Sequence, residues 1–419
     1  MIDTIIIGAG AAGLMAAREL TRAGKSVLIL ESSDRVGGRI MTVYDTGAGL
    51  PAELGAEFLH GDAPETTRLL DEAHLVTVPV LGEHVRSDDG ELSPQGPIWI
   101  RMNRVFSHLN PDRKKDRSFQ AFLDELPGGA ALREERELAR GFVQGFNGAD
   151  TALISAKSLA EEGDPTEGAA AARRVVNGYA ALIAFIRADV TNDIRLNCRV
   201  QRIALDEDRV RVNDVNGKEY EARSAILAVP LPALQDESIV IEPEVPEMRK
   251  AARKLVMGHV ARVCIVVREA FWEKKKSNLS FVHSPERPFN VWWTQNPLHA
   301  PLIVGWSGGP PALEITQSGE LEDIAMSELG RAFSMRRQRI EALVDSIHWH
   351  DWSRDRNVLG AYSYIRVGGT NAPRVLARAI HNKLFLAGEA TDSGSGGTVE
   401  GALASGKRAA KKVLEKLSA

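Results

Sequence analysis

A glycine-rich turn near the N-terminus constrains the fold of this chain more than any other feature of its sequence. Gly8, Gly10 and Gly13 form a G-x-G-x-x-G pattern between the apolar run 5–7 and the helix-forming run 14–23. In such a turn the first glycine permits a tight bend, the second lets a pyrophosphate touch the backbone, and the third lets the helix pack closely on the sheet. Free N–H groups at the helix N-terminus favour phosphate charge. The pattern therefore predicts a strand, turn and helix that bind a dinucleotide.

A second apolar run, 27–30, completes a βαβ unit and ends on the acidic residue Glu31. A carboxylate at this point accepts hydrogen bonds from a ribose diol and disfavours a 2′-phosphate. Residues 35–39 follow with the sequence Arg-Val-Gly-Gly-Arg. Gly38 allows the backbone to approach a cofactor, and Arg39 can neutralise a pyrophosphate through paired hydrogen bonds. Together these features favour a dinucleotide site over a glycine-rich loop without function.

Composition and charge exclude several classes of protein. The 419 residues suit two domains, and the formal net charge of −4 gives no drive towards nucleic acid. The two cysteines, Cys198 and Cys264, lie far apart without metal-ligand spacing, so we expect neither a metal site nor a disulfide framework. No apolar stretch reaches the length of about 18 residues that a membrane span needs, and no secretory signal is recognisable. We therefore expect a cytoplasmic protein.

The C-terminal part carries a second glycine-rich segment. The apolar run 384–387 ends at Gly388 and Glu389, a loop of glycine, serine and threonine follows, and a helix is predicted to begin at Thr398 and Val399. A helix N-terminus at this point favours negative charge on a bound group. Two such segments at opposite ends of one chain indicate a single site assembled from both.

Both segments resemble the FAD motifs of the glutathione-reductase-like flavoproteins, and in particular those of the flavin amine oxidases, which include monoamine and polyamine oxidases. The resemblance implies FAD as the cofactor. It implies that Glu389 contacts the ribityl-phosphate region, that Val399 aims its N–H at the flavin pyrimidine ring, and that Val200 offers its backbone to the adenine.

The resemblance also implies an α/β, two-domain FAD-binding fold, with a glutathione-reductase-like Rossmann FAD domain and a substrate domain made of a mixed sheet and helices. The expected FAD-binding domain comprises residues 1–82, 190–235 and 350–419, and the substrate domain with its helical lid comprises 83–189 and 236–349.

Local patterns predict the main elements of the later segments. Alternation predicts a strand over 194–203 that forms a hairpin with 210–212, and apolar runs predict substrate-domain strands over 260–267, 289–294 and 302–306. Helices are expected after Ser118, and a Gly-Asp-Pro break at 163–165 marks a loop or lid.

The stretch 54–61 resembles the family segment that passes under the flavin, with Gly55 and Ala56 at the cofactor. Glu57 and His60 are the polar side chains of an otherwise small and apolar run, which makes them candidate amine contacts. The alternative for His60 is a structural role, as a histidine in a capped turn before Gly61.

Residues 352–363 match the family block W-x-x-D-x-x-x-x-G-x-Y-S, which begins at Trp352. In the family its tyrosine, here Tyr362, is one wall of an aromatic cage that strips water from an amine and orients it. Thr398 occupies the position of the other cage wall. Monoamine oxidases have a tyrosine there, whereas histone demethylases and some polyamine oxidases have a threonine. Ala361 replaces the cysteine that binds flavin covalently, so we expect non-covalent FAD.

The predicted strand 260–267 departs from the family pattern at Arg262, where family members have a lysine that holds a water at flavin N5. Arginine keeps the charge and can hold a water, but it cannot act as a base. Two interpretations stay open: Arg262 holds that water, or it binds a substrate carboxylate bidentately, as an amino-acid oxidase would require. Trp292, Trp293 and Trp306 suggest an aromatic-lined pocket.

The candidate catalytic residues are Arg262, Tyr362, Thr398, His60, Glu57 and Trp352. The candidate cofactor-binding residues are Gly8, Gly10, Ala12, Gly13, Glu31, Ser32, Gly38, Arg39, Gly55, Ala56, Glu57, Val200, Trp352, Gly388, Glu389, Thr398 and Val399, and no metal ligand is expected.

The resemblance implies FAD-dependent oxidation of an amine to an imine by hydride transfer to flavin N5, with reoxidation by O2 to give H2O2. The expected partners are a small-molecule amine and O2, without nucleic acid or membrane, and a homodimer is possible. The first alternative is a flavin dehydrogenase or desaturase that acts on a non-amine or an amino acid and uses another electron acceptor. A chromatin demethylase component and a non-catalytic flavin-binding module rank below it.

Overall fold

Two large β-sheets organise the chain in the computed structural model, which describes residues 1–163, 171–191, 193–236, 238–285 and 287–418. The described strands are β1 Ile2–Ile7, β2 Val27–Leu30, β3 Thr42–Val43, β4 Ala52–Glu53, β5 Phe58–Leu59, β6 Thr77–Pro79, β7 Glu83–Asp88, β8 Glu91–Pro94, β9 Arg173–Val175, β10 Asp193–Arg195, β11 Val200–Leu205, β12 Val210–Asp214, β13 Glu219–Leu227, β14 Val240–Glu242, β15 Leu255–Met257, β16 Val260–Val267, β17 Leu279–His283, β18 Val291–Trp293, β19 Leu302–Gly308, β20 Val344–His348, β21 Ser363–Ile365 and β22 Leu384–Leu386.

The described α-helices are α1 Ala11–Arg22, α2 Pro64–Glu72, α3 Ile98–Phe106, α4 Phe119–Glu125, α5 Arg133–Phe146, α6 Ala156–Glu161, α7 Tyr179–Ala188, α8 Leu231–Gln235, α9 Pro246–Ala252, α10 Pro310–Ser318, α11 Leu321–Ala332, α12 Arg337–Leu343, α13 Ala372–Leu376 and α14 Val399–Ser418. Short 3₁₀ turns span Gly129–Leu132, Phe271–Lys274 and Glu389–Thr391. Among the helices described, none is long and apolar enough to cross a bilayer.

The first sheet has the strand order β10-β2-β1-β13-β12-β11-β14, and β22 pairs with β13. Strand β1 pairs in parallel with β2 and with β13, and α1 connects β1 to β2, so the predicted βαβ unit is confirmed. Strand β1 begins at Ile2 and α1 begins at Ala11, three residues earlier than predicted in each case. The helix begins early because the bend is complete at Gly10, which lies at the N-cap.

The two ends of the chain pack together on this sheet. The C-terminal helix α14 lies so close to α1 that a Cβ atom on Gly406 would stand 2.2 Å from the backbone oxygen of Ala12. Leu14 and Met15 of α1 and Leu403 of α14 belong to one buried apolar cluster. The N-terminal and C-terminal glycine-rich segments are therefore parts of one packed layer.

The central segment differs from its predicted course. The single strand expected over 194–203 is two strands, β10 and β11, because Asn197 adopts a left-handed φ of 54° and turns the chain between them. Strand β10 pairs with β2, whereas β11 forms the predicted hairpin with β12. Strand β14 also pairs with β11, which carries the first sheet beyond the expected domain boundary at residue 235.

The second sheet has the order β20-β16-β19-β18-β17-β7-β8. It is mixed, since β17 runs parallel to β7 while β16 and β19 are antiparallel. The predicted strand over 260–267 is confirmed as β16. The other two are confirmed with different ends: β18 Val291–Trp293 is shorter than the predicted 289–294, and β19 Leu302–Gly308 is longer than the predicted 302–306. Of the predicted break at 163–165, residues 164 and 165 lie outside the described residues.

Candidate active site

A cavity of about 1970 Å³ is lined by residues of both sheets, among them Glu31 and Val200 from the first and Phe281 and Trp293 from the second. Pockets for drug-sized ligands usually measure roughly 300–1,000 Å³. The space therefore suits a large cofactor together with a substrate. Of the candidate site residues named from the sequence, all except Gly13 line this cavity.

Of the three glycines in the turn, Gly10 is the one with open space at the position of a Cβ atom. A Cβ atom on Gly8, whose φ is 101°, would lie 2.4 Å from the backbone oxygen of Ala228, and one on Gly13 would lie 1.9 Å from that of Gly8. Apart from the chain neighbours of Gly10, no atom of the described residues lies within 4 Å of the corresponding position. Gly8 and Gly13 thus serve the packing, whereas Gly10 offers the space that a pyrophosphate needs at the N-terminus of α1.

Glu31 braces the turn in addition to lining the cavity. Its Oε2 accepts a hydrogen bond from the backbone N–H of Ala9 at 2.6 Å, and its Oε1 accepts from the N–H of Ser33 at 2.8 Å and the hydroxyl of Ser32 at 3.3 Å. A carboxylate has about four acceptor sites, so the role predicted for a ribose diol can coexist with this bracing.

Arg39 and Glu389 join the two glycine-rich segments. The sequence predicts Arg39 as a pyrophosphate ligand, but its Nη1 donates to Glu389 Oε1 at 2.8 Å and to the backbone oxygen of Ala361 at 2.8 Å. Glu389 Oε2 accepts from the Ser363 hydroxyl at 2.6 Å and from the N–H of Gly397 at 3.1 Å. Glu389 thus balances the charge of Arg39, and both residues connect the cofactor segments to the Tyr362 block.

Trp352 is a buried wall of the segment expected under the flavin. Its indole N–H donates to the backbone oxygen of Leu54 at 2.7 Å. A Cβ atom on Gly55 would lie 1.8 Å from the backbone oxygen of Arg39 and 3.4 Å from the Trp352 ring. Gly55 therefore allows two backbone segments and an indole to meet at the cavity.

The two expected cage positions both line the cavity, and a Cβ atom on Gly397, next to Thr398, would lie 3.6 Å from the Tyr362 ring. The Tyr362 hydroxyl donates to the backbone oxygen of Phe146 at 2.7 Å, and burial raises the pKa of this hydroxyl above its ordinary value. The hydroxyl of Thr398 donates to the backbone oxygen of Ser395 at 2.7 Å and accepts from the N–H of Gly401 at 3.0 Å. Thr398 therefore caps the helix α14, which is a role that the sequence pattern did not indicate.

Glu57 is the centre of a buried charge cluster. Its Oε1 lies 2.6 Å from Arg174 Nε and its Oε2 lies 2.5 Å from Arg262 Nη2, while the indole N–H of Trp293 is 3.2 Å from each oxygen. Burial alone would raise the pKa of Glu57, but the charges of Arg262 and Arg174 outweigh burial and hold the pKa below its ordinary value. With both oxygens occupied, Glu57 holds the arginines and is not placed to receive an amine, contrary to our expectation.

Arg262 is held from three sides. Besides Glu57, its Nη1 donates to the backbone oxygen of Gly55 at 3.2 Å, and its guanidinium lies 5.4 Å from the ring centroid of Trp293. Burial lowers the pKa of Arg262, yet the charge of Glu57 more than compensates and raises the pKa above its ordinary value. Both terminal nitrogens have protein partners, so a bidentate clamp on a substrate carboxylate would require breaking the ion pair.

His60 and the tryptophans complete the walls. The His60 ring lies 4.9 Å from that of Phe146, edge to face, and lines the cavity. Trp293 and Trp306 also line the cavity, whereas Trp292 is fully buried in the core. Trp292 and Trp293 are adjacent in one strand, so their side chains point to opposite faces of the sheet. Sequence reasoning missed Arg174, because nothing local in strand β9 marks it as the partner of a residue 117 positions away.

A family model described as flavin containing amine oxidoreductase matches residues 11–414 of this chain. Polyamine oxidase 3 of Oryza sativa subsp. japonica is 30% identical over 452 residues, which cover 99% of this chain and 90% of the relative. Lysine-specific histone demethylase 2 of Homo sapiens is 28% identical, over 98% of this chain and 53% of the relative.

Solved structures have the same fold. Putrescine oxidase bound to putrescine is similar with a TM-score of 0.83 and 21% identity, covering 99% of both chains. Cyclohexylamine oxidase from Brevibacterium oxydans IH-35A is similar with a TM-score of 0.84 and 22% identity, covering 100% of both chains. The expected α/β fold of two packed parts is thereby confirmed.

Proposed function

The chain belongs to the family of flavin-containing amine oxidoreductases, and on that premise we propose that it oxidises the C–N bond of an amine to an imine by hydride transfer, with O2 as the final electron acceptor and H2O2 as the product. It is an FAD-dependent enzyme. The observation that carries the proposal is one continuous cavity lined by the glycine turn, the N-terminus of α14 and the Tyr362 block.

The residues of the cavity fit FAD. Open space at Gly10 suits the pyrophosphate, Glu31 lies at the end of β2 where a ribose is expected, and Val399 opens the helix whose N–H groups would face the flavin ring. When bound, FAD supplies the two-electron acceptor that no side chain provides. Ala361 has no nucleophilic atom, so we propose that the cofactor is held without a covalent bond.

The chain's own residues bind and orient the amine. The Tyr362 ring is fixed by its hydrogen bond to Phe146, and aromatic walls exclude water from a substrate nitrogen beside it. Arg262 remains charged and cannot take a proton, so its part is a fixed positive charge in the cavity wall. His60 remains the candidate amine contact.

One experiment distinguishes an amine oxidase from the alternative, a flavin dehydrogenase that passes its electrons to an acceptor other than O2. Purified enzyme is mixed without oxygen with a panel containing putrescine, a polyamine, cyclohexylamine and several amino acids, and the visible flavin absorbance is followed. Bleaching by amines, followed by recovery and peroxide formation on admission of O2, supports the proposal. Bleaching without recovery in O2 would assign another acceptor, and bleaching by amino acids alone would overturn the amine specificity. Acid precipitation should leave free FAD in the supernatant.

A further inference from the structure

The wall of the cavity contains a continuous series of aromatic contacts. Phe58 lies 5.9 Å from His60, ring centroid to ring centroid, and His60 lies 4.9 Å from Phe146. Phe146 stacks on Phe142 at 5.0 Å with an interplanar angle of 13°. These four rings come from β5 and the segment after it and from helix α5, and all four line the cavity.

The series returns to its start through the second sheet. Trp99 of α3 lies 6.1 Å from Phe142 and 5.7 Å from His84 of β7, in both cases edge to face. His84 stacks on Phe281 at 4.6 Å, and Phe281 lies 6.1 Å from Trp293. Trp293 lies 5.5 Å from Phe58, which closes the series. We call these eight rings the aromatic girdle; the second four also line the cavity.

A pair of neutral imidazoles forms one side of the girdle. His84 Nδ1 lies 3.1 Å from His283 Nε2, and the two rings stack at 5.3 Å. One ring must donate and the other accept, so both cannot be protonated while this contact persists. Burial lowers the pKa of His84 to about 4 and that of His283 to about 3. The pair thus presents polar atoms without charge near neutral pH.

Three carboxylates on the segments that carry the girdle are already paired with arginines. Glu57, next to Phe58, is held by Arg174 and Arg262. On helix α5, which carries Phe142 and Phe146, Glu134 lies 2.7 Å from Arg101 and Glu137 lies 2.5 Å from Arg140. A second ammonium held against the girdle would thus meet ring faces and neutral imidazoles. Other carboxylates of the cavity wall, such as Glu162 and Glu314, lie on segments that contribute no ring to the girdle.

We propose that the girdle is the subsite for the substituent of the amine, and that it selects an amine with one nitrogen and a bulky apolar, aromatic or alicyclic group over a diamine or polyamine. The inference rests on the proposed amine oxidation. Ring faces attract a cation, but a primary ammonium taken out of water also needs hydrogen-bond acceptors and a counter-charge. An apolar substituent needs neither and gains from the apolar wall.

The test uses two substrates of equal length that differ in one group. In heptylamine and 1,6-diaminohexane, seven heavy atoms follow the nitrogen at which oxidation occurs. The seventh atom is the carbon of a methyl group in heptylamine and the nitrogen of an ammonium group in the diamine. The holoenzyme should show kcat/KM for heptylamine at least about tenfold above that for the diamine, the size of preference that one differing group in a pocket can produce. Equal values, or a preference for the diamine, would overturn the proposal. Reduction of the flavin by neither these nor any other amine would instead refute the proposed function.

A pair of variants locates the preference in the girdle. Phe281→Glu adds a counter-charge beside the histidine pair and should lower the ratio of the two kcat/KM values, whereas Phe281→Leu should leave the diamine disfavoured. An unchanged ratio in a folded, FAD-loaded Phe281→Glu enzyme would count against the girdle as the selective element. Trp99→Glu serves the same purpose if Phe281→Glu does not fold, and the ratio in the unaltered enzyme decides the proposal without either variant.

Discussion

Glu57 and Arg262 form a buried ion pair that joins residues 205 positions apart, with 5% of each side chain exposed to solvent. The pair lies in the wall of the cavity, and Arg174 and Trp293 complete the hydrogen bonding of the carboxylate. A buried pair of this kind is costly to break from one side, since the remaining charge keeps its desolvation penalty. Its geometry makes the following predictions testable.

Glu57→Gln should destabilise the protein by about 3–5 kcal/mol, because two buried arginines lose their shared counter-charge. Denaturant unfolding of the apoprotein measures the change. The control is Glu341→Gln, which breaks the exposed pair with Arg337 at 2.7 Å and should cost less than about 1 kcal/mol. Equal effects of the two substitutions would contradict the assigned role of the cluster.

The neighbouring buried carboxyl, Glu53, should make stability fall as pH rises. Burial raises its pKa from 4.5 to about 7, against opposing hydrogen bonds from the hydroxyl of Thr42 and the N–H of Tyr179. A folded-state pKa above the unfolded one gives stability that is complete below about pH 4.5 and is lost as pH rises to about 7. Relative to Glu53→Gln, the unaltered protein should thus lose about 3 kcal/mol between these limits. Melting temperatures of both proteins across this range provide the measurement, and parallel curves would show that Glu53 does not titrate there.

Arg262→Lys should keep the ion pair with Glu57 but lose the contact with the Gly55 oxygen, because an ammonium cannot reproduce the planar fork. We expect a loss of stability of about 1–2 kcal/mol and little change in the rate at which amines reduce the flavin. Stopped-flow traces without oxygen measure the rate. A selective loss of affinity for amino acids in this variant would restore the carboxylate-clamp interpretation.

Two substitutions of Tyr362 separate the contribution of its ring from that of its hydroxyl. Tyr362→Phe removes only the hydrogen bond to Phe146 and should cost about 1 kcal/mol of stability, with turnover largely kept. Tyr362→Ala removes the cage wall and should lower kcat/KM for amines about a hundredfold through lost orientation, while the Kd for FAD stays nearly the same. Similar kcat/KM values for the two variants would remove Tyr362 from the substrate site.

Glu31→Ala should weaken FAD binding by roughly 1.5–3 kcal/mol, the value of a hydrogen bond to a charged group. The structure adds a second effect, because the substitution also frees the N–H groups of Ala9 and Ser33 that the carboxylate holds. The apoprotein should therefore lose stability as well, and Glu31→Gln, which retains one oxygen, should lie between. Titration with FAD of the unaltered apoprotein and of both variants measures the Kd values. Equal Kd values for the three proteins would contradict the assignment of Glu31 to the ribose.

The βαβ unit at the N-terminus could be predicted from the sequence because its signals are local. The turn at Gly8 to Gly13, the helix and the next strand are consecutive in the sequence, so the position of Glu31 after that strand follows from the same unit. The split between β10 and β11 escaped prediction. The strand-like alternation in the sequence continues through Asn197, whereas the left-handed backbone of this residue ends one strand before the next begins.

The substrate half depends on contacts that no local pattern shows. Glu57 has the polarity of an amine contact, and only the fold brings Arg174 and Arg262 to its two oxygens. The aromatic girdle likewise unites rings from β5, α3, α5 and the second sheet, each of which alone fits an ordinary core position. The cytoplasmic location and a homodimer stay predictions.

The packing of α14 against α1 makes cofactor binding and folding of this layer depend on each other. The helix that begins at Val399 covers α1, and both the turn at Gly8 and Val399 line the cavity. Without α14, the apolar face of α1 would lack its cover and the phosphate-binding end would lack its opposite wall. Loss of this helix would therefore weaken FAD binding and expose apolar surface at the same time.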